Sequence, residues 1–147
     1  VAESLRNAGM PKKEAMEIVK ELFKQCGLPE NFMKRYPHEV SGGQCQRAAI
    51  ARALAIAPRL LICDEITSAL DVTVQKEILE LLNALRTRQG RGLSILFISH
   101  DISLVQQFCD RVLVMYRGEI VEEGTPDEVI RNPQNDYTKR LIDSVLS

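Results

Sequence analysis

The sequence lacks the features that mark membrane-spanning and nucleic-acid-binding proteins. No apolar run reaches the roughly 18 residues of a membrane-spanning helix, because residues 48–63, the longest candidate, contain Arg52, Pro58 and Arg59. The formal net charge of the 147 residues is -1, so no basic field attracts nucleic acid or an acidic membrane. These absences favour a soluble globular chain and disfavour a nucleic-acid partner.

The four cysteines form no metal-binding pattern. Cys26, Cys45, Cys63 and Cys109 include no C-x-x-C pair and have no histidine at ligand spacing. This scatter is typical of buried or half-buried thiols in a reducing cytosol. The chain opens at Val1 without a Met or a secretory signal, so we expect a fragment or a processed product.

Hydrophobic periodicity predicts helices over the first third of the chain. A short helix around Leu5 is followed by a longer one that begins near Pro11 and stops at a Gly-Leu-Pro sequence. Ser41 and Gln44 have the form of a capping box. They open a helix rich in Ala, Leu and Arg that we expect to continue until Pro58.

Two short apolar runs, residues 60–63 and 93–98, predict parallel strands covered on both faces. The apolar stripe between them, residues 74–85, predicts a crossover helix that closes near Gly90 and Gly92 and makes a right-handed β-α-β unit. The rest of the chain is predicted to form a helix at residues 102–108, a strand at 112–116, a turn at 117–118 and a second strand at 120–121. Two short helices follow, one from residue 127 and one from residue 137.

Polar side chains follow the ends of the first two predicted strands. Asp64 and Glu65 come after the first strand, at the carboxyl edge where open α/β sheets bind ligands, and His100 follows the second. One carboxylate can hold Mg²⁺ while the other orients or deprotonates water, and a histidine there can contact a terminal phosphate. Taken alone, solvent-facing carboxylates and an ordinary loop histidine are the commoner interpretation.

The glycine turn, residues 41–44 (Ser-Gly-Gly-Gln), has two interpretations. Because it begins a helix, unpaired N–H groups face outward, and glycines let them approach a phosphate closely. A simple serine cap on a glycine-rich turn explains the same residues equally well.

Taken in order, these groups closely resemble the nucleotide-binding domains of ABC ATPases. Residues 40–44 are similar to the signature motif of that family, Asp64-Glu65 to its Walker B strand, residues 68–71 to its D-loop and His100 to its switch histidine. Four motifs in one order make the resemblance specific, and it covers essentially the whole chain. It implies an α/β fold with a P-loop NTPase-like (RecA-like) parallel sheet and helical crossovers, incomplete here and preceded by part of the ABC helical subdomain.

The resemblance also implies a division of the chain. Residues 1–57 would hold part of the helical subdomain with the signature motif and its helix, residues 58–131 the second half of the α/β ATPase core, and residues 132–147 a C-terminal helical tail. Residues 36–39 (Tyr-Pro-His-Glu) and the stretch 124–138 are similar to the peptide and nickel importers within the family.

ATP and Mg²⁺ are the cofactors that the resemblance implies. Asp64 would hold Mg²⁺ through its water shell, Glu65 would be the general base and His100 would contact the γ-phosphate. Asp71, with Ser68, would lie across a dimer interface. The ATP bound to the opposite subunit would be contacted by the signature residues Ser41, Gly42, Gly43 and Gln44.

Some family residues are replaced or missing. Val40 stands where Leu is commoner, Cys45 where a long polar residue is usual, Ile66 where Pro is usual, and residues 135–136 where His-Pro is typical. No G-x-x-x-x-G-K-[ST] occurs in the sequence, so it lacks the backbone cradle and the Lys that neutralise the β- and γ-phosphates. We therefore expect negligible ATPase activity and weak nucleotide affinity from this chain alone.

The partners implied by the resemblance are a second ATP-binding subunit, transmembrane permease subunits and, indirectly, an external solute-binding protein, with no nucleic acid. The chain would then lie on the cytoplasmic face of the membrane. Two alternatives stay open at this point. One is a non-catalytic module that lends its signature motif to a partner ATPase; the other is an ABC ATPase of DNA repair or translation, although coiled-coil heptads and a marked basic surface are not apparent.

Overall fold

The computed structural model describes residues 1–88 and 92–146, and these fall into two compact units. The first unit is Val1–Leu96 and the second begins at Phe97. The predicted division at residues 57 and 131 stays a prediction. The elements of the first unit are α1 (Ala2–Asn7), α2 (Lys12–Gln25), two 3₁₀ turns (Glu30–Lys34 and Pro37–Glu39), α3 (Gly42–Leu54), β1 (Leu60–Asp64), α4 (Val72–Thr87) and the start of β2 (Ser94–Ile98).

The first unit is built around helices that pack in chain order. Helix α1 packs on α2, α2 on α3, and α3 on α4. The helices pair because each has an apolar stripe at helical spacing, which must be buried against a neighbour. The fully or nearly buried side chains of α2 and α4 are Ala15, Val19, Leu22, Phe23, Ile78, Leu79, Leu81, Leu82 and Leu85.

Strands β1 and β2 pair in one two-stranded parallel sheet, joined by α4 as the crossover helix. The prediction that both faces are covered is wrong for the described residues. In β1, Leu61 and Cys63 are buried, but Leu60 and Ile62 are 53% and 59% exposed. Successive side chains of a strand point to opposite faces, so the helices of this unit cover one face only.

The predicted end of one helix needs correction. Helix α3 ends at Leu54, four residues before the expected stop at Pro58. The chain turns early because the Ala57 N–H donates to the Leu54 carbonyl while Ala57 adopts a left-handed φ of 50°. Helix α4 ends at Thr87. Its predicted closing residue Gly90 lies outside the described residues, and Gly92 has a φ of 54°.

The second unit is an antiparallel hairpin with short helices. Its elements are α5 (Ile102–Phe108), β3 (Val112–Tyr116), β4 (Glu119–Gly124), a π-helical turn (Asp127–Arg131) and α6 (Asp136–Leu146). The predicted turn at Arg117-Gly118 is confirmed. Both residues have positive φ, 50° and 86°, and Tyr116 pairs with Glu119, which is the geometry of a two-residue hairpin loop.

The predicted burial of the cysteines is confirmed, since Cys26 and Cys63 are buried and Cys45 and Cys109 are half-buried; no disulfide joins these four described residues. Burial raises the pKa of the Cys63 thiol to about 11. Within residues 1–88 and 92–146, no helix is both long and apolar enough to cross a bilayer.

The chain leading into α6 is tied to β4 by one carboxylate. Glu122 accepts hydrogen bonds from the N–H groups of Gln134, at 2.7 Å, and Asn135, at 3.1 Å. The Asn135 side chain in turn accepts from the Tyr137 N–H, and Tyr137 stacks on Tyr116 with ring centroids 4.1 Å apart. Partial desolvation raises the pKa of Glu122, but the Gln134 N–H and the other donors outweigh it and hold the pKa below its ordinary value of 4.5.

Replacing Glu122 with Gln should reduce the loss of stability at acid pH. Because the folded-state pKa is depressed, the carboxylate stabilises the fold above pH 4.5, and this contribution is lost as pH falls through the folded-state pKa. We expect Glu122→Gln to lower the urea midpoint at pH 7 and to flatten its decline between about pH 5 and pH 3. Glu119→Gln, at an exposed position on the same strand, is the control. Equal pH profiles for all three proteins would contradict the assignment.

Candidate functional site

The glycine turn forms the start of α3, and its two polar residues cap each other. The Ser41 hydroxyl oxygen accepts from the Gln44 N–H at 3.3 Å, and the Gln44 side-chain oxygen accepts from the Ser41 N–H at 2.9 Å. The predicted capping box is therefore confirmed. Helix α3 has no acidic residue in its first turn, so the positive end of the helix is not neutralised there.

The capping box uses acceptors and leaves donors for a ligand. The Ser41 hydroxyl accepts one bond and keeps its own proton, and the Gln44 amide keeps both N–H groups when its oxygen is engaged. Ser41 and Gly42 are exposed. The start of α3 thus presents hydroxyl, amide and backbone donors together, a set that suits an anion such as a phosphate.

The two glycines of the turn have different surroundings. Gly43 is buried, and a Cβ atom placed there would lie 2.5 Å from Cγ1 of Val74, closer than real Cβ contacts allow. Gly42 is exposed, and its Cβ would meet Leu70 at an ordinary distance of 3.4 Å. The glycine turn therefore packs directly against the start of α4.

The segment between β1 and α4 is a tight turn with a strained residue at its start. Glu65 has a φ of 50°, which is uncommon for a residue other than glycine and is concentrated at functional sites. Its carbonyl accepts from both the N–H and the hydroxyl of Ser68, at 3.2 Å and 2.9 Å. The buried Thr67 carbonyl accepts from the Leu70 N–H and from the Gln75 amide.

Asp71 is the N-cap of α4. Its carboxylate accepts from the Val74 N–H at 3.0 Å, which holds the side chain at the helix start. Asp71 is exposed, so the carboxylate that caps the helix is also accessible to a ligand or partner.

The two carboxylates at the end of β1 are chemically suited to a water-rich Mg²⁺ site. Asp64 is exposed at the last position of β1, and Glu65 is half-buried beside it. Within residues 1–88 and 92–146, no group of three His, Cys, Asp or Glu side chains could hold a metal. Mg²⁺ commonly takes one or two carboxylates together with water and phosphate oxygens, and Asp64 is suited to that arrangement.

His100 belongs to the second unit, where its neighbours in sequence have structural roles. The Asp101 carboxylate caps α5 by accepting from the Ser103 and Leu104 N–H groups. The Ser99 hydroxyl accepts from the Asp101 N–H. His100 itself is exposed, and its contact with the γ-phosphate stays a prediction.

Comparison with known proteins decides the family. The family model described as ABC transporter matches residues 2–68. The oligopeptide transport ATP-binding protein OppF of Escherichia coli (strain K12) is 50% identical over 99% of this chain and 43% of its own length. The dipeptide transport ATP-binding protein DppD of Lactococcus lactis subsp. cremoris (strain MG1363) is 48% identical over 99% of this chain and 42% of its own length.

The chain belongs to the ABC transporter ATP-binding family. The chain is also similar to the solved structure of CbiO1 from Clostridium perfringens, which is described as part of the ABC transporter complex CbiONQ. The two structures superpose with a TM-score of 0.77 and are 34% identical in sequence, over 89% of this chain and 51% of the CbiO1 chain. The predicted P-loop NTPase-like α/β fold is therefore confirmed. The chain spans about two fifths of the length of its peptide-transport relatives.

Sequence reasoning gave no role to two residues on the helices that carry the glycine turn and Asp71. Val74 contacts Gly43, and its N–H binds Asp71. Arg47 donates to the Cys26 carbonyl and to Glu77, both at 3.0 Å. The available signal was their spacing, because Arg47 lies four residues after Gly43 and Val74 three after Asp71, which places each pair on one helix face.

Ser41 should be replaceable by Asp but not by Ala as far as folding is concerned. Ala removes the cap acceptor and should cost about 1 kcal/mol of unfolding free energy, whereas Asp keeps an acceptor and should leave that free energy nearly unchanged. Urea unfolding measures both, with the exposed Ser103→Ala as the control. Equal stability of the Ala variant and the unaltered chain would show that the cap contributes little.

Proposed function

We propose that the chain contributes to an ATP-hydrolysing subunit that energises an ABC importer of peptides. The supporting observation is that one compact unit carries the donor-rich glycine turn, the Asp64-Glu65 pair and the capped Asp71. The similarity to oligopeptide and dipeptide transport ATP-binding proteins supports a peptide cargo over nickel.

In this proposal the glycine turn binds the γ-phosphate of ATP held by the opposite subunit. The Ser41 hydroxyl, the Gly43 N–H and the Gln44 amide are donors, so together they offset negative charge that develops on the phosphate oxygens. Their acceptor atoms are already engaged in the capping box, and so the donors are oriented before ATP arrives. Asp71 lies across the same dimer interface.

Hydrolysis is assigned to the acids after β1 and to His100. Glu65 takes a proton from a water molecule whose oxygen attacks the γ-phosphorus, while the bond to the β-phosphate oxygen breaks. Asp64 would hold Mg²⁺ through water, and the ion would supply positive charge that offsets the negative charge of the phosphates. His100 donates to the γ-phosphate.

A second candidate is a module that acts only through its glycine turn. The donor-rich glycine turn supports it, because this role needs only the donors of Ser41 and Gln44. The exposed side chains Leu60 and Ile62 leave one face of β1 open to a P-loop-bearing polypeptide. In both candidates the transmembrane permease and the second ATP-binding subunit are partners, on the cytoplasmic side of the membrane.

Alone, the chain should not hydrolyse ATP above background. Mixed with a P-loop-bearing peptide-importer subunit whose own signature serine is replaced, it should raise phosphate release at least about 10-fold, because it supplies the missing donors. Ser41→Asp should abolish this stimulation, since a carboxylate repels the γ-phosphate. Hydrolysis by the chain alone would refute the expectation of inactivity, and no stimulation by the unaltered chain would count against the second candidate.

Glu65→Gln should slow hydrolysis without loss of ATP binding. The variant is made in a protein with a P-loop-bearing half joined ahead of Val1. Loss of a general base should lower kcat by roughly 10²- to 10⁴-fold. The Kd for a fluorescent ATP analogue should change little, because Gln keeps the size of the side chain. Glu80→Gln, an exposed position on α4, is the control. If binding is lost as well, Glu65 is not the base.

A further inference from the structure

We propose that Val74 is a positioning residue that joins the glycine turn to Asp71, so that the two groups face the opposite subunit as one rigid body. We call the contacts of Val74 with Gly43 and with Asp71 the joint. The role of the joint in catalysis rests on the proposed function, whereas its existence as a packing contact does not. None of the roles carried by the family motifs falls on Val74, which lies three residues after the D-loop aspartate.

The side chain of Val74 makes one half of the joint. Gly43 is buried, and its hypothetical Cβ would lie 2.5 Å from Val74 Cγ1 and 3.8 Å from Val74 Cβ. Carbon atoms in contact are normally 3.5 to 4.0 Å apart, so a methyl group at position 43 fits only if Cγ1 is absent. Val74 therefore determines how closely the start of α3 approaches α4.

The backbone of Val74 makes the other half. Its N–H donates to the Asp71 carboxylate at 3.0 Å, and this bond orients the side chain that is assigned to the dimer interface. A shift of Val74 would therefore move the Asp71 carboxylate and remove the surface against which Gly43 rests. One residue couples the two groups.

A second contact, further along α3 and α4, restricts the rotation of the two helices relative to each other. Arg47 lies one turn after Gly43 on α3, and Glu77 lies about one turn after Val74 on α4. Their side chains form an ion pair at 3.0 Å, and Arg47 also donates to the Cys26 carbonyl at the end of α2. Two contacts at different heights define the relative rotation of α3 and α4.

Gly42 and Gly43 lack side chains for different structural reasons. Gly42 is exposed, with only an ordinary contact to Leu70, so its lack of a side chain leaves room for a ligand. At Gly43 the side-chain space is already filled by Val74. A change at Gly43 therefore acts on the fold first and on the ligand second.

A double-mutant cycle on the whole chain tests the packing contact between Val74 and Gly43. Gly43→Ala should lower the thermal unfolding midpoint by at least about 5 °C, although Ala ordinarily favours a helix over Gly. In the Val74→Ala background the same change should cause no further decrease, because the nearest remaining atom is the Cβ of residue 74, at 3.8 Å. Gly42→Ala, with its 3.4 Å contact, is the matched control and should leave the midpoint unchanged. Additive decreases, or no decrease for Gly43→Ala, would overturn the joint.

Two further measurements separate positioning from packing alone. Val74→Ala should raise amide hydrogen exchange at the glycine turn and at Asp71 by about 10-fold, while the isosteric Val74→Thr should leave it near the original rate. In the mixture with the P-loop-bearing subunit, adding Val74→Ala to Gly43→Ala should recover at least half of the stimulation lost in Gly43→Ala.

The outcomes distinguish the joint from the proposed function. Restored stability without restored stimulation would overturn the positioning role of Val74. Unchanged exchange in Val74→Ala would overturn it as well. If the unaltered chain gives no stimulation, the proposed function fails, and the unfolding cycle and the exchange rates still decide whether the joint exists.

Discussion

The close approach of Val74 to Gly43 is the constraint on which the proposed arrangement of the glycine turn and Asp71 depends. It sets the distance between the starts of α3 and α4, and these two helix starts carry the glycine turn and Asp71. Because protein interiors are close-packed, a side chain that fills a glycine notch leaves no freedom for either helix to slide. The ion pair between Arg47 and Glu77 then limits rotation.

In the proposed function, capping and ligand binding would use different atoms of the same residues. The Ser41 and Gln44 oxygens accept the bonds that begin α3, and the Asp71 carboxylate accepts the bond that begins α4. The donors of Ser41 and Gln44 stay available and are already oriented, which lowers the entropy cost of binding an anion. The two interpretations of the glycine turn, a serine cap and an anion site, are therefore compatible.

One face of β1 is apolar and exposed, and the relatives of this chain are longer. Leu60 and Ile62 are apolar yet more than half exposed, and exposed apolar patches mark surfaces that another protein segment covers. The peptide-transport relatives contain more than twice the length of this chain. A P-loop-bearing segment against this face is consistent with both observations and with the proposed function.

The sequence by itself determined the order of elements, the capping box at Ser41 and the hairpin turn at Arg117-Gly118, because caps and tight turns depend on interactions between residues a few positions apart. Motif order was enough to identify the family. Only the tertiary structure decided which face of β1 is exposed, since a continuous apolar run in the sequence does not reveal which face of the strand other elements cover. It alone placed Val74 against Gly43, 31 residues apart in sequence, because packing between helices depends on how they approach in space.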